Sequence, residues 1–207
     1  MTGLFVAVEG PGGVGKSTIV EEARRRLVDD MVSVHATTQP SHTRLGDFAR
    51  HGTEVFHGMA LACLIAADRY HQLGSEIEPA LNLGAVVLCD RYVASSLVLQ
   101  HLDGVPREVV WELNRHARCP DLTVILQAPP ELLDIRLEQR GAHSRFENTP
   151  GQSAKEVREF SAAGTFLREA GYRVEELNCT TGSPDQLAAA MLGLIAPLIK
   201  EKTPHAC

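Results

Sequence analysis

The chain has 207 residues, of which 44% are hydrophobic and 22% are charged. This length and composition allow one sizeable hydrophobic core, so we expect a single domain over residues 1–207. The formal net charge of -6 argues against a protein that binds nucleic acid or anionic membranes, because both need a cationic surface.

Apolar runs rich in β-favouring residues recur along the chain and are separated by longer helix-like segments. They run from Leu4 to Val8, Val32 to Ala36, Ala85 to Cys89, Leu122 to Leu126 and Tyr172 to Leu177. Parallel strands need long crossover connections, which are usually helices. The alternation therefore predicts an α/β fold, with a parallel sheet covered by helices.

A glycine-rich loop follows the first run and precedes a helix that we expect to begin near Ser17. Its sequence, Gly10-Pro11-Gly12-Gly13-Val14-Gly15-Lys16-Ser17, matches G-x-x-x-x-G-K-[ST] in the strand-to-helix context that the motif requires. In such a loop the backbone N–H groups and the helix N-terminus surround an anion, Lys16 reaches the outer phosphates and Ser17 binds Mg²⁺. The loop predicts an ATP-using phosphotransferase with Mg²⁺ as cofactor.

Arg69 lies near the end of the helical segment that precedes the third run. On its own it is compatible with a solvated surface residue. Asp90 and Arg91 follow that run directly, where the carboxyl ends of parallel strands meet at the ligand crevice. We expect Asp90 to bind Mg²⁺ or its water and Arg91 to bind a second phosphate; the alternative is a structural ion pair.

The polar segment from Arg140 to Lys155 interrupts two helical patterns and contains no β-like run. It predicts a mobile lid at about residues 140–155 within the domain. With Arg136 one turn earlier, Arg140 and Arg145 make the lid basic, as suits an enzyme that neutralises phosphate charge and excludes water. An ordinary polar loop is the alternative.

The last helix has a recognisable start. Ser183 can cap it, Pro184 suits its first position, and Gln186 completes a capping box. An apolar stripe follows at Leu187, Met191, Leu194, Ile195 and Leu198.

The five cysteines are scattered and form no C-x-x-C pair, which favours reduced thiols over a disulfide framework or a zinc site. The N-terminus enters the first strand without a signal sequence, and no apolar run reaches membrane-spanning length. We expect a cytoplasmic protein that does not bind membranes.

Together these features resemble the thymidylate kinases, a family of P-loop nucleoside monophosphate kinases. The matching segments are FVAVEGPGGVGKST, AADR at Ala66 to Arg69, CDRYVASSLVLQ from Cys89, PDLTVILQAPPELLDIRLEQRG from Pro120, and SRFE from Ser144. Their order follows the family over nearly the whole chain.

The resemblance implies a three-layer P-loop NTPase-type sandwich with a five-stranded parallel sheet, a homodimer, and transfer of the ATP γ-phosphoryl group to a nucleoside monophosphate. The catalytic residues that it implies are Lys16, Asp90, Arg91 and Arg145, with Ser17 and Asp90 at the metal. ATP would contact Gly10, Gly12, Gly13, Val14, Gly15, Lys16, Ser17, Thr18 and, near adenine, Arg136. The acceptor would contact Gln39, Ile65, Arg69, Arg91, Ser96, Leu99 and Gln100.

The acceptor side departs from the family pattern. Thymidylate kinases usually carry a carboxylate where this chain has Gly12, and that carboxylate accepts a hydrogen bond from the sugar 3'-hydroxyl. A stacking Phe is replaced by Ile65 and a Tyr by Leu99, while the Arg-Glu-Pro stretch reads Thr38-Gln39-Pro40. The Asp before the lid arginine is Ser144.

These changes predict an acceptor other than thymidylate, such as a ribonucleotide or a modified pyrimidine nucleotide. Thymidylate itself, a nucleoside acceptor and a non-catalytic nucleotide-binding role are the alternatives. Gln39 argues against a nucleoside kinase, which needs a carboxylate base near that position. The retained Lys16, Ser17, Asp90 and Arg91 argue for catalysis.

Overall fold

A computed structural model describes residues 3–141, 146 and 151–202 of the protein. Five parallel strands form one sheet in the order β2-β3-β1-β4-β5. The strands β1 to β5 span Leu4–Glu9, Val34–Thr38, Val86–Asp90, Leu122–Gln127 and Val174–Asn178. The predicted α/β class and five-stranded parallel sheet are confirmed.

Helices connect the strands and cover both faces of the sheet. Helices α1 to α9 span Lys16–Asp29, Arg44–His51, Gly58–Gln72, Glu78–Asn82, Val93–Leu102, Arg107–Asn114, Pro130–Arg140, Gln152–Glu169 and Pro184–Lys202. A short 3₁₀ segment, Gly52–Glu54, precedes α3, and a π-helical segment, Leu73–Ile77, joins α3 to α4.

The alternation of side chains along β1 separates two cores. Leu4, Val6 and Val8 are buried in the core that contains the apolar residues of α1 and α9. Phe5 and Ala7 are buried in the other core, which contains those of α5 and α8. Because successive strand residues point to opposite faces, an apolar strand indicates a sheet covered on both sides.

Two strands begin two residues later than predicted, since the apolar residues Val32 and Tyr172 complete helix ends. After α1, the N–H of Val32 bonds to the Leu27 carbonyl and that of Met31 to Val28, with Met31 at φ 60°. After α8, the N–H of Tyr172 bonds to the Leu167 carbonyl. These are Schellman-type bonds, which bring an apolar residue against the last turn of the helix.

The predicted start of the last helix is confirmed. The Ser183 N–H donates to Gln186 Oε1 at 2.9 Å, and the Gln186 N–H donates to Ser183 Oγ at 3.3 Å. Helix α8 begins at Gln152, so residues 152–155 of the segment predicted as a lid are helical, and the lid itself stays a prediction. Arg145 and Ser144 lie outside the described residues.

No helix in the described ranges is both long enough and apolar enough to cross a lipid bilayer.

Candidate active site

The candidate site lies at the carboxyl edge of the sheet, where the chain leaves β1. Strand β1 is flanked by β3 on one side and β4 on the other, so successive connections leave this point in opposite directions. A crevice forms at such a switch point in open parallel sheets. The glycine-rich loop, residues 10–15, occupies it and leads directly into α1.

The backbone of this loop depends on glycine. Gly10, Gly13 and Gly15 have φ values of 140°, 76° and 100°, which residues with a Cβ rarely adopt. The Lys16 ammonium folds back over the loop and donates to the carbonyls of Gly10 and Pro11, each at 2.8 Å. The loop thus curves around the Lys16 ammonium, and we call it the cradle after the phosphate-binding role that the sequence predicts.

The pKa of Lys16 is lowered far below its ordinary value. Burial lowers the pKa of Lys16 to about 7, and the nearby guanidinium of Arg91 acts in the same direction. The carboxylates of Asp90 and Glu156 oppose this lowering. Phosphate groups in the cradle would supply further negative charge and favour the ammonium form.

Ser17 and Asp90 are brought together across the cradle, as the sequence predicts. Ser17 Oγ donates to Asp90 Oδ2 at 2.5 Å. The other carboxylate oxygen, Asp90 Oδ1, is buried and has no hydrogen-bond partner in the described part of the chain. A hydroxyl and a carboxylate with a free oxygen suit Mg²⁺, which takes one or two protein oxygens and completes its shell with water and phosphate.

Arg91 has a strained backbone that turns the chain out of β3. Its φ is 71°, a left-handed conformation that is uncommon for a residue other than glycine, and its N–H is anchored to the Val8 carbonyl at 2.9 Å. Its Nη1 is buried without a partner among the residues the structure describes. Strain at such a position persists where surrounding contacts fix it, and often marks a ligand site.

A narrow cavity of about 40 Å³ extends from Arg91 along α5. It is lined by Gln39, Pro40, Ile65, Arg69, Arg91, Tyr92, Ser95, Ser96, Leu99 and Gln100. All seven residues expected to contact the acceptor are therefore in one cavity wall. We call this space the acceptor cavity, after the ligand that the resemblance predicts for these residues.

Arg69 is fully enclosed, so its alternative interpretation as a solvated surface residue is wrong. Its Nε donates to Gln39 Oε1 at 2.8 Å and its Nη2 to Ser96 Oγ at 2.8 Å. It also bonds to Asn114 and lies 5.2 Å from the centroid of the Tyr92 ring. Burial lowers the pKa of Arg69, and these contacts hold the guanidinium in the cavity wall.

Gln39 and Gln100 have different environments in the acceptor cavity. Both polar atoms of the Gln39 side chain form hydrogen bonds inside the protein. Oε1 accepts from Arg69, and Nε2 donates to Gln72 Oε1 at 3.0 Å. Gln100 is 4% exposed, and its Oε1 finds no partner in residues 3–141, 146 and 151–202. Gln100 therefore keeps an acceptor for a ligand, whereas Gln39 supports Arg69.

A second cavity, of about 300 Å³, lies on the opposite side of the cradle. It is lined by Gly13, Val14, Gly15, Thr18, Ile19, Arg136, Arg140, Gly182, Pro184 and Leu187. Arg136 bridges its walls by donating to the carbonyls of Val14 at 3.5 Å and Cys179 at 3.2 Å. Arg136, which the resemblance places near adenine, thus lines a cavity beside the loop, and the adenine site stays a prediction.

The sequence analysis missed Glu9, the last residue of β1. Its carboxylate is fully buried and accepts from the N–H groups of Tyr92, Ala94 and Ser95 at 2.9 to 3.1 Å, and from Ser95 Oγ at 2.5 Å. Burial raises the pKa of Glu9, and the bonds from Ser95 oppose that effect. Glu9 thereby caps α5, which carries the polar wall of the acceptor cavity.

Glu156 was also missed. It lies on α8, is 3% exposed, and its Oε2 accepts from the Gly12 N–H at 2.8 Å. The sequence predicts no carboxylate at Gly12, and the fold brings one there from 144 residues away. Glu156 could have been recognised from its position on the buried face of α8. That face also contains Ser153, Phe160, Ala163 and Leu167, and a charged residue is unusual there.

Comparison of the sequence with those of known proteins identifies the family to which the chain belongs. A sequence model of the family described as "Thymidylate kinase" matches residues 8–170. A probable thymidylate kinase of Pyrobaculum aerophilum is 34% identical over 96% of this chain and 99% of its own length. One from Caldivirga maquilingensis is 34% identical over 99% and 97%, and the thymidylate kinase of Clavibacter michiganensis is 37% identical over 74% and 76%. The chain therefore belongs to the thymidylate kinase family and is an ATP-dependent nucleoside monophosphate kinase.

Proposed function

We propose that this enzyme transfers the γ-phosphoryl group of ATP to a pyrimidine nucleoside monophosphate, with thymidylate as the first acceptor to consider. The supporting observation is that buried polar atoms without partners converge on the site. Asp90 Oδ1, Arg91 Nη1 and Gln100 Oε1 are three of the five such atoms in the described part of the chain. They would serve the metal, the acceptor phosphate and the base respectively, because buried polar groups are rarely left unsatisfied.

In this proposal the donor and acceptor bind on opposite sides of the cradle. ATP lies with its phosphates over residues 10–18 and its adenine in the cavity beside Arg136. Ser17 and Asp90 hold Mg²⁺, which neutralises charge on the transferred group. The acceptor phosphate meets Arg91, and its base reaches Ser96 and Gln100.

The chain's own residues have little proton chemistry to perform. The acceptor phosphate is already ionised at neutral pH, so catalysis consists of alignment and charge neutralisation. Lys16 and Arg91 would provide positive charge from two directions. The Lys16 ammonium donates to two loop carbonyls, and the main chain of Arg91 is held by the Val8 carbonyl. Arg145 is proposed as a further cation from the lid.

A different or modified pyrimidine nucleotide is the second candidate acceptor. Ile65 and Leu99 line the acceptor cavity with aliphatic groups, which offer a base no aromatic face on which to stack. The names of the relatives favour thymidylate, and the aliphatic wall favours a changed preference. Glu156 beside Gly12 weakens the expectation that thymidylate is excluded, since a carboxylate is present there after all.

We further propose that the enzyme works as a homodimer in the cytoplasm. Exposed apolar side chains between α2 and the start of α3 support an apolar contact surface: Phe48, Val55 and Met59 are 55%, 72% and 47% exposed. Sedimentation velocity at micromolar concentration tests the assembly, and a single species of about 45 kDa is the expected result.

An acceptor panel tests the proposed function. With ATP and Mg²⁺ held constant, kcat/KM is measured for thymidylate, deoxyuridylate, uridylate, cytidylate and purine monophosphates, and for the corresponding nucleosides. We expect the highest values among the pyrimidine monophosphates and none for nucleosides. A preference for a purine monophosphate, or activity on nucleosides alone, would contradict the proposal.

A further inference from the structure

The guanidinium of Arg69 is held in the wall of the acceptor cavity by uncharged oxygen atoms. Its Nε donates to Gln39 Oε1 at 2.8 Å, and its two terminal nitrogens donate to Asn114 Oδ1, the Tyr92 carbonyl and Ser96 Oγ. A guanidinium donates hydrogen bonds and accepts none, so each partner has to present an oxygen. The Gln39 amide can present either an oxygen or an NH₂ group, and one of its two orientations therefore fails to bind Arg69.

The orientation of the Gln39 amide is selected by Gln72, the last residue of α3. Gln72 is fully buried, and its Oε1 accepts from Gln39 Nε2 at 3.0 Å. If the Gln39 amide were turned over, its oxygen would face the Gln72 oxygen and its NH₂ group would face Arg69. Two buried hydrogen bonds would then be lost together. The Gln72 oxygen thus favours the orientation of Gln39 that binds Arg69.

The Gln72 amide is in turn oriented by groups that accept hydrogen bonds. Its Nε2 donates to Glu76 Oε2 at 2.9 Å and to the Thr38 carbonyl at 3.2 Å. A carboxylate and a carbonyl cannot bond to an amide oxygen, so the NH₂ group of Gln72 has to face them. Its oxygen is left for Gln39.

Glu76 lies at the far end of this series of hydrogen bonds. Burial raises the pKa of Glu76, but hydrogen bonds from Thr37, Gln72 and His35 outweigh burial, and the pKa is lowered overall. His35 Nε2 lies 2.8 Å from Glu76 Oε1. The Glu76 carboxylate is therefore ionised at neutral pH and acts as an acceptor, so the donors and acceptors alternate in one direction between Glu76 and Arg69.

We infer that Gln72 is a positioning residue for the acceptor nucleotide, which acts through Gln39 to hold Arg69 in the wall of the acceptor cavity. This inference rests on the proposed function, because the orientation of Arg69 affects binding if the acceptor occupies that cavity. The role depends on which end of each amide faces its neighbour. It therefore differs from a packing role that joins α3 to β2, and the two can be separated by substitution.

Gln72→Leu removes the amide and leaves Gln39 free to turn over. Titration calorimetry with thymidylate, or with the pyrimidine monophosphate that the acceptor panel prefers, should show a Kd about fivefold higher, as for loss of one uncharged hydrogen bond. The Kd of ATP should not change, because neither Gln39 nor Gln72 lines the cavity beside Arg136. Ile77→Val, at a fully buried position five residues along the chain, is the matched control. It should lower stability and leave both Kd values unchanged.

A second substitution separates amide orientation from packing. Gln39→Glu in the Gln72→Leu background offers Arg69 a carboxylate oxygen in either orientation, so it should recover most of the lost acceptor affinity. A packing role for Gln72 predicts no such recovery. Glu76→Ala provides a test outside the core, since the Glu76 side chain is 29% exposed. It should raise the Kd of the acceptor by a smaller factor, because the Thr38 carbonyl still orients Gln72.

The outcomes distinguish this inference from the proposed function. An acceptor Kd that neither Gln72→Leu nor Glu76→Ala changes overturns the positioning role and leaves the proposed function intact. A loss of affinity in Gln72→Leu that Gln39→Glu does not recover overturns it as well. If the unchanged enzyme binds no pyrimidine monophosphate, the proposed function fails and the positioning role fails with it.

Discussion

Lys16 combines a lowered pKa with a position in the cradle. Its pKa of about 7 lies far below the ordinary 10.5, and the principal cause is burial. Between these two values the unfolded chain binds more protons than the folded one. Lys16 therefore lowers the free energy of unfolding below pH 7, and this destabilisation disappears as the pH rises toward 10.5.

The same shift predicts proton uptake when ATP binds. At pH 8 most Lys16 side chains are neutral in the free protein, and the phosphates of ATP should return them to the ammonium form. We expect uptake of up to about one proton per ATP, seen by calorimetry as a binding enthalpy that depends on the ionisation enthalpy of the buffer. Lys16→Arg keeps its charge at every accessible pH and should show no such uptake. A binding enthalpy independent of buffer in the unchanged enzyme would rule the shift out.

Individual site residues were predictable where a motif placed them next to a strand end. Lys16 and Ser17 begin α1 after the loop that leaves β1, and Asp90 and Arg91 lie at the end of β3, so the adjacency of β1 and β3 brings them together. Glu9 and Glu156 were missed for a different reason. Both are carboxylates within apolar patterns, and their partners, the first turn of α5 and the Gly12 N–H, are more than 80 residues away in sequence.

At the scale of elements, the contact between the end of β1 and the start of α5 positions the wall of the acceptor cavity. Glu9 satisfies three N–H groups at the start of α5, and these groups have no partner within the helix itself. Helix α5 then presents Ser96, Leu99 and Gln100 to the acceptor cavity. The orientation of this wall therefore depends on a residue of the central strand.

Glu9→Gln should disturb this junction. An amide offers one accepting oxygen and places an NH₂ group opposite backbone donors, so at least one buried N–H loses its partner. We expect the free energy of unfolding to fall by about 1–3 kcal/mol, measured by urea denaturation. Glu21→Gln, on the exposed surface of α1, is the control. Equal stability of the two variants would show that the Glu9 contacts do not support α5.

Element boundaries were less predictable than element types. An apolar residue after a helix can begin a strand or complete the helix, and hydrophobicity does not distinguish the two. Val32 and Tyr172 do the latter, because Schellman-type bonds use their N–H groups before the strand begins. The capping box at Ser183 and Gln186 was predictable, since it is a local pattern whose two bonds join residues three apart.

At the scale of the whole molecule, the sheet order determines where chemistry can occur. With β1 between β3 and β4, the cradle, Asp90 and Arg91 share one crevice, with one cavity along α5 and another beside Arg136. If the two cavities hold donor and acceptor as proposed, their places on opposite sides of one phosphate cradle suit direct transfer between two bound nucleotides.

Product analysis tests direct transfer most directly. The purified chain is incubated with ATP, Mg²⁺ and thymidylate, and ADP and thymidine diphosphate are quantified together by anion-exchange chromatography. We predict equal amounts of the two products, with both lowered at least about a hundredfold by Lys16→Ala, which removes a charge from the transferred group. ADP formed without a matching amount of nucleoside diphosphate, with thymidylate or any other monophosphate, would contradict the account.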